Sequence, residues 1–337
     1  MTSRLTRWGG RLVVLGLVLL GIFVVLYAVP SNKYIFLPDT AHPVAPLVEV
    51  PARYAKARSK VGGIYFVDVI VRKASLLERI WPGYRDGADV VPASAVVPPG
   101  SNDRQRRKLD LQEMSRSQEV ASAVALRALG RKVVAKPTGV TIDAVDPKAP
   151  AAGELHVAER IVGVGGEPVE TTTELRRLLQ KSKPGAKVTL AVETAGGRRN
   201  VTVKTTSADG RTVIGVIVEQ AVDVKLPFPV TIDSGQIGGP SAGLAFALDL
   251  MEELGRDVDR GHRVAATGEI ALDGSVHPVG GLKQKTIGAR RAGVDLFLVP
   301  AGENTAVARR YADGLRVVPV ESFRQALSVL ATLPTER

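Results

Sequence analysis

Gly239-Pro240-Ser241-Ala242-Gly243 stands directly before the apolar run Leu244-Ala245-Phe246-Ala247-Leu248, and no other feature of the chain constrains what it can do as tightly as this junction. The glycines let the backbone bend sharply around Ser241, and the apolar run behind it favours a helix. Ser241 therefore falls at a helix N-terminus, whose unpaired N–H groups stabilise negative charge. A serine hydroxyl is a poor nucleophile at neutral pH without a base, and a lysine acts as one only when burial lowers its pKa. The stretch Gly280-Gly281-Leu282-Lys283-Gln284-Lys285 supplies the lysine. A bent serine loop whose own N–H faces the oxygen of a tetrahedral intermediate suits acyl transfer.

These two segments resemble the active-site motifs of Lon-type serine proteases, whose Ser–Lys dyad is carried by a P-S-A-G serine and the second lysine of a G-G-L-K-x-K stretch. On that resemblance Ser241 is the nucleophile and Lys285 is general base and then general acid. Thr267, in a Thr267-Gly268-Glu269 segment like the family's T-G-E, is implied to hold Lys285 by a hydrogen bond. Many Lon sites have an acidic residue three positions before the serine, where this chain has Gly238. Lon proteolytic domains also begin with a V-G-G-containing strand and a long helix, and Val61-Gly62-Gly63 and Met114 to Gly130 look like those pieces. Because such domains often form hexameric rings, the resemblance implies a homo-oligomer. Nothing in the sequence resembles the ATPase of full Lon proteases, so the expected cleavage is ATP-independent.

Other chemistries fit less well. Gly239-x-Ser241-x-Gly243 also satisfies the elbow of α/β-hydrolases, but only His262 and His277 follow it, without the alternating strands and helices that normally separate elbow from histidine. The absence of cysteine excludes a thiol nucleophile, a disulfide framework and cysteine-ligated metal. No His, Asp and Glu residues have metal-ligand spacing, and ordinary polar roles suffice for all four histidines, so neither metal nor cofactor is expected. Lys285-Thr286 lacks the preceding glycine that a phosphate loop requires. The net charge of +11 raises nucleic acid as a partner. However, the one dense basic cluster, Arg104-Gln105-Arg106-Arg107-Lys108, has no aromatic interleaving to stack bases. No nucleic-acid role is expected; an anionic membrane surface or cell-wall polymer is the more plausible counterpart.

Leu12 to Val29 holds no charged residue and just suffices to span a bilayer core as a helix. Arg4, Arg7 and Arg11 precede it without an acidic residue, so the N-terminus is expected inside and the remainder exported. The run is longer than the apolar region of a signal peptide, and its exit, Leu26-Tyr27-Ala28-Val29-Pro30, fits a cleavage site poorly. A retained anchor follows. Pro30, Pro38, Pro43, Pro46 and Pro51 suit an extended stalk or edge segment more than a helix, Ile64 to Val71 reads as a strand, Asp89 to Ser101 as a loop, and Arg104 to Leu129 as a helix stopped by Gly130.

From Val134 to Thr206 the pattern changes to short strands around one helix, Thr172 to Gln180. It resembles a PDZ domain of the bacterial protease type, including Ala149-Pro150-Ala151-Ala152-Gly153 and Gly166-Glu167-Pro168-Val169. Where that family usually has Gly-Asp before its central strand, this chain has Ala158-Glu159. A PDZ groove adds a peptide as an extra strand between a strand and a helix. The expected fold is thus an α/β (α+β) Lon-type proteolytic domain with an inserted, mainly β PDZ domain, preceded by one transmembrane helix. Its parts are a cytoplasmic tail at 1–11, an anchor at 12–29, a stalk at 30–60, the first Lon-like part at 61–130, the PDZ domain at 131–208, and the Ser–Lys part at 209–337. This order resembles the membrane-anchored PDZ-containing Lon-like proteases of bacteria. It implies a single-pass protein of the bacterial cell membrane with its catalytic domain outside, cutting peptides or flexible protein segments. The alternative is an anchored peptide-binding scaffold that no longer cleaves.

Overall fold

The computed structural model describes residues 2–57, 61–97, 102–194, 196–208 and 210–335, with side chains from Val14 onward. Helix α1 (Thr2–Ala28) contains the N-terminal apolar run, and from Val14 to Tyr27 nearly all of its large side chains lie exposed. Among the described residues, seven more helices follow: α2 (Leu76–Ile80), α3 (Asp103–Ala128), α4 (Thr172–Gln180), α5 (Gly243–Glu253), α6 (Leu282–Arg291), α7 (Glu303–Tyr311) and α8 (Phe323–Ala331). The side chains of the predicted tail, 1–11, and of Leu12 and Val13 in the predicted anchor lie outside those described. Among the described residues no helix is long and apolar enough to cross a membrane.

The stalk predicted for 30–60 is corrected by the structure: Pro30–Pro43 is a 14-residue strand inside the main sheet. It pairs antiparallel with Gly63–Ser75 on one side and with Asp89–Pro92 on the other, so the predicted loop from Asp89 also opens as a strand. The prolines stand where a strand tolerates them. Pro30 is its first residue, Pro38 flanks a break in register, and Pro43 is its last. Between them Tyr34 and Ile35 are buried.

Six strands form this sheet, in the order Arg316–Val320, Leu296–Pro300, Arg263–Ala266, Gly63–Ser75, Pro30–Pro43 and Asp89–Pro92. The first four run parallel to one another, and Pro30–Pro43 reverses direction. Side chains alternate across the sheet with the strand period of two. Ile64, Phe66, Val264, Ala266 and Leu298 join the core under α3, α5 and α8. Val67, Ala265, Phe297 and Val299 join a second core under α6 and α7. Helices cover both faces, which explains why the strands Arg263–Ala266 and Leu296–Pro300 read as nearly unbroken apolar runs.

Between α3 and α5 the chain builds a separate antiparallel sheet in the order Val216–Lys225, Val134–Val145, Arg160–Val164, Lys187–Thr194 and Gly197–Lys204. Its own core takes in Leu175, Leu178 and Leu179 of α4, a helix that Thr171 and Glu174 start with a reciprocal capping box. The closing strand reaches Lys225, beyond the boundary of 208 expected from sequence. At Ala158-Glu159 the turn is retained despite the missing glycine. Ala158 adopts a left-handed φ of 68°, and the buried Glu159 carboxylate accepts from Arg199 at 2.8 Å and from the His156 N–H at 3.0 Å.

Candidate active site

The serine loop is held from two sides. From α3, the Asp110 carbonyl accepts from the Gly239 N–H at 2.7 Å, and the Ser117 hydroxyl donates to the Pro240 carbonyl at 2.9 Å. From the segment after Arg263–Ala266, the Gly268 N–H and the Thr267 hydroxyl donate to the Ser241 carbonyl at 2.8 and 3.1 Å. A Cβ on Gly243 would lie 2.7 Å from Ser117 Oγ, so the second glycine of the motif permits the close approach of α3. Helix α5 starts at that residue with no side-chain cap, two positions after Ser241, and is buried from Gly243 through Glu252. Its first N–H groups therefore sit next to the serine.

Lys285 lies in the first turn of α6 and is 4% exposed. Its Nζ donates to Thr267 Oγ1 at 3.2 Å. Burial brings its pKa down to about 7, against the opposing pull of the Asp68 carboxylate. Ser241 and Lys285 line one cavity of about 510 Å³ and are connected through Thr267, whose hydroxyl reaches both the lysine and the Ser241 carbonyl. No direct hydrogen bond joins Ser241 Oγ to Lys285 Nζ. Lys283 leaves the cavity: its Nζ pairs with Asp89 at 2.7 Å and donates to the Ala88 carbonyl at 3.2 Å.

Three carboxylates line the same cavity: Glu269 of the Thr267-Gly268-Glu269 segment, to which the motif gave no role, and Asp68 and Asp110, which lie outside the motifs. Asp110 explains the departure at Gly238. A Cβ at 238 would stand 2.6 Å from the Asp110 Cβ and 3.1 Å from its carbonyl carbon, so helix α3 occupies the space an acidic side chain there would need. Asp68 is raised in pKa by burial first and then by Asp39, with His42 opposing. Its Oδ1 is buried without a hydrogen-bond partner among the described residues, while His42 Nε2 stands 3.8 Å from that oxygen and 3.5 Å from Asp39. Asp39, His42 and Asp68 thus form a cluster, although sequence spacing suggested none and gave His42 an ordinary polar role. No linear signal could have found it, because it forms across the paired strands Pro30–Pro43 and Gly63–Ser75.

A second cavity, of about 570 Å³, adjoins the first and shares Pro240 and Glu269 with it. It lies between α3, the closing strand Val216–Lys225 and the segment 269–273. Burial and then the Asp110 carboxylate push Glu113 up to about 7, while burial and then Glu219 push Asp143 up to about 6. Arg116 bridges the junction, pairing with Glu219 and donating to the Gln220 carbonyl at 2.6 Å. Within the β-rich unit, a cleft of about 730 Å³ runs between α4 and the edge strand at Val216–Val218. Leu175, Leu179 and Ile217 line it, with Arg176 and Arg211 beside them.

Residues 219–332 match the Lon protease (S16) C-terminal proteolytic domain, and residues 122–205 match the PDZ domain. Over 116 residues the chain is 34% identical to Lon protease 2 of Bacillus subtilis, covering 34% of this chain and 20% of that protein. Over 86 residues it is 43% identical to Lon protease 1 of Myxococcus xanthus, covering 25% and 10%. Among solved structures, the PDZ domain of the SdrC-like protein from Listeria monocytogenes is 24% identical with a TM-score of 0.23, covering 24% of this chain and 87% of that one. The matched region spans a fifth or less of the length of these curated relatives.

Proposed function

From a chain that carries a Lon-type proteolytic domain and a PDZ domain, we infer a membrane-anchored serine endopeptidase that works without ATP. The observation that carries this reading is Lys285, an amine buried to 4% exposure and held by Thr267, which also holds the Ser241 carbonyl. A lysine with a pKa near 7 is substantially neutral at physiological pH and accepts the Ser241 proton. Ser241 Oγ attacks the peptide carbonyl carbon. The oxyanion is met by the Ser241 N–H at the positive end of the α5 dipole, the Gly243 and Leu244 N–H groups being already bonded to the Pro240 and Gly268 carbonyls. Lys285 then returns its proton to the leaving amine, and water, deprotonated by the same lysine, releases the acyl group. Asp68 is the counter-charge to the lysinium that forms in each half-reaction.

The cleft between α4 and Val216–Val218 suits a peptide added as a strand, with Arg176 and Arg211 placed to meet a terminal carboxylate. Capture there would raise the local concentration of a substrate at Ser241. The arginines before the apolar run of α1 put the N-terminus inside and both domains outside. Added protease should therefore digest both domains in spheroplasts; their protection would reverse the topology. The missing Ser241–Lys285 hydrogen bond favours the second reading, a scaffold that binds without cutting, although such contacts often close only when substrate arrives. A covalent serine-directed probe decides between them. Labelling of the parent and not of Ser241→Ala, with hydrolysis lost in the variant, supports the peptidase; an unlabelled, folded parent supports the scaffold.

A further inference from the structure

The end of α1 is built into the fold. Only Val29 separates that helix from the strand Pro30–Pro43, and the Val29 carbonyl accepts from the Leu76 N–H at 3.0 Å, the first residue of α2. From the last residue of α2 onward the chain exposes an apolar and aromatic ledge: Ile80 is 70% exposed, Trp81 62% and Tyr84 40%. The two rings lean together with centroids 6.3 Å apart.

This ledge is braced from within. Glu78, almost wholly buried, caps its own helix through the Ser75 N–H at 2.9 Å. It also grips the Arg72 guanidinium at 2.6 and 2.9 Å and Arg85 at 3.3 Å. These partners, Arg72 first, hold its pKa at about 2. The outward display of Ile80, Trp81 and Tyr84 thus rests on an ion-paired support. Beside them Arg79 is exposed, bonded to Asn32 at 3.3 Å, and has no carboxylate partner among the described residues.

We propose that Ile80, Trp81 and Tyr84 seat in the headgroup boundary of the bilayer that holds α1, with Arg79 meeting lipid phosphate, so that the catalytic unit is docked on the membrane. This rests on the reading of α1 as an anchor. The ledge is continuous with α1: exposed apolar surface runs along that helix to Tyr27 and Val29, and the ledge stands on the helix that Val29 touches. Tryptophan and tyrosine favour that boundary because one part of each ring system is apolar and another forms hydrogen bonds.

The chain has two tryptophans, Trp8 and Trp81, and that makes the test direct. The full-length Trp8→Phe variant, reconstituted in vesicles containing phosphatidylglycerol, reports Trp81 alone. Expected are blue-shifted emission, protection from aqueous acrylamide, and quenching by lipids brominated near the headgroup that exceeds quenching by lipids brominated near the acyl terminus. Trp81→Phe leaves Trp8 to report the anchor. Bromolipid quenching of Trp8 without quenching of Trp81 overturns the docking and spares the anchor. Absence of quenching at both overturns both. Blue-shifted, acrylamide-protected Trp81 without bromine quenching assigns the ledge to a protein contact and overturns the lipid assignment.

Discussion

Replacing Lys285 by methionine should destroy turnover and stabilise the fold, in amounts that depend on pH. A lysine moved from 10.5 to about 7 is displaced by about 3.5 pH units, which at about 1.4 kcal/mol each makes the charged form cost on the order of 5 kcal/mol in the folded state. The unfolded chain keeps the proton up to about 10.5, and the folded chain releases it near 7. Between those values the unfolded state binds more protons, so stability rises with pH; the full cost is present below about 7 and is gone above about 10.5. Methionine is of similar volume and cannot charge. It takes a donor from Thr267 Oγ1, but that hydroxyl still donates to the Ser241 carbonyl, so the loss is about 1 kcal/mol. The variant should therefore gain roughly 3–4 kcal/mol near pH 6 and, once the charge cost has gone above about pH 10.5, be the less stable chain by up to about 1 kcal/mol. Urea denaturation in detergent, with Ser241→Ala in both chains to prevent self-cleavage, reads the difference. Glu113 and Glu252, whose pKa values are also displaced, are common to both and largely cancel. Stability curves that run parallel across the whole range would show that Lys285 titrates normally, and the proposed base would lose its physical ground.

Asp68→Asn removes the charge that holds the Lys285 pKa up, so the acid limb of kcat/KM should move below about 7 while kcat falls about tenfold, equivalent to about 1.4 kcal/mol. An unmoved limb would separate Asp68 from the lysine. Gly238→Asp, which restores the acidic residue common at that position in Lon sites, should destabilise by about 1–3 kcal/mol because its Cβ meets α3; a stable and fully active variant would contradict this packing. Lys283→Ala loses a partly exposed ion pair with Asp89 and a hydrogen bond to the Ala88 carbonyl, both outside the cavity, so thermal melting should report about 1 kcal/mol and kcat/KM should hardly change. A dead Lys283→Ala beside an active Lys285→Arg would reverse the choice of lysine. Ala158→Gly relieves a left-handed alanine and should raise the melting temperature of the β-rich unit by an amount corresponding to about 1 kcal/mol; a lower melting temperature would place the strain elsewhere.

What was legible in the sequence was local. The serine loop and the lysine are contiguous motifs, and helix α4 announces itself through Thr171 and Glu174, three positions apart, ahead of leucines at helical spacing. The strand at Pro30–Pro43 was not legible, because proline marks a stalk and a strand's ends and breaks alike; only the pairing partners distinguish them. Asp68 was hidden for a related reason. Nothing within its own strand separates it from a solvent-facing polar residue, and its neighbours Asp39, His42 and Lys285 arrive from another strand and from α6. Gly238 was recognised as a departure, but its cause, the backbone of α3 at Asp110, is a tertiary contact with no trace in spacing. The anchor remained a matter of hydropathy.

Val134 stands opposite Lys225 across the ladder that closes the β-rich unit. The chain therefore enters and leaves that unit through neighbouring backbone positions about 5 Å apart. To the catalytic half, everything between them counts as one hairpin stem, and the entropy of closing such a gap grows only slowly with the length enclosed. The catalytic half thus presents a socket rather than a seam. A binding module of different length and preference, with ends equally close, would plug into the same two positions. It would redirect the enzyme to new substrates while leaving the serine loop and its lysine as they are.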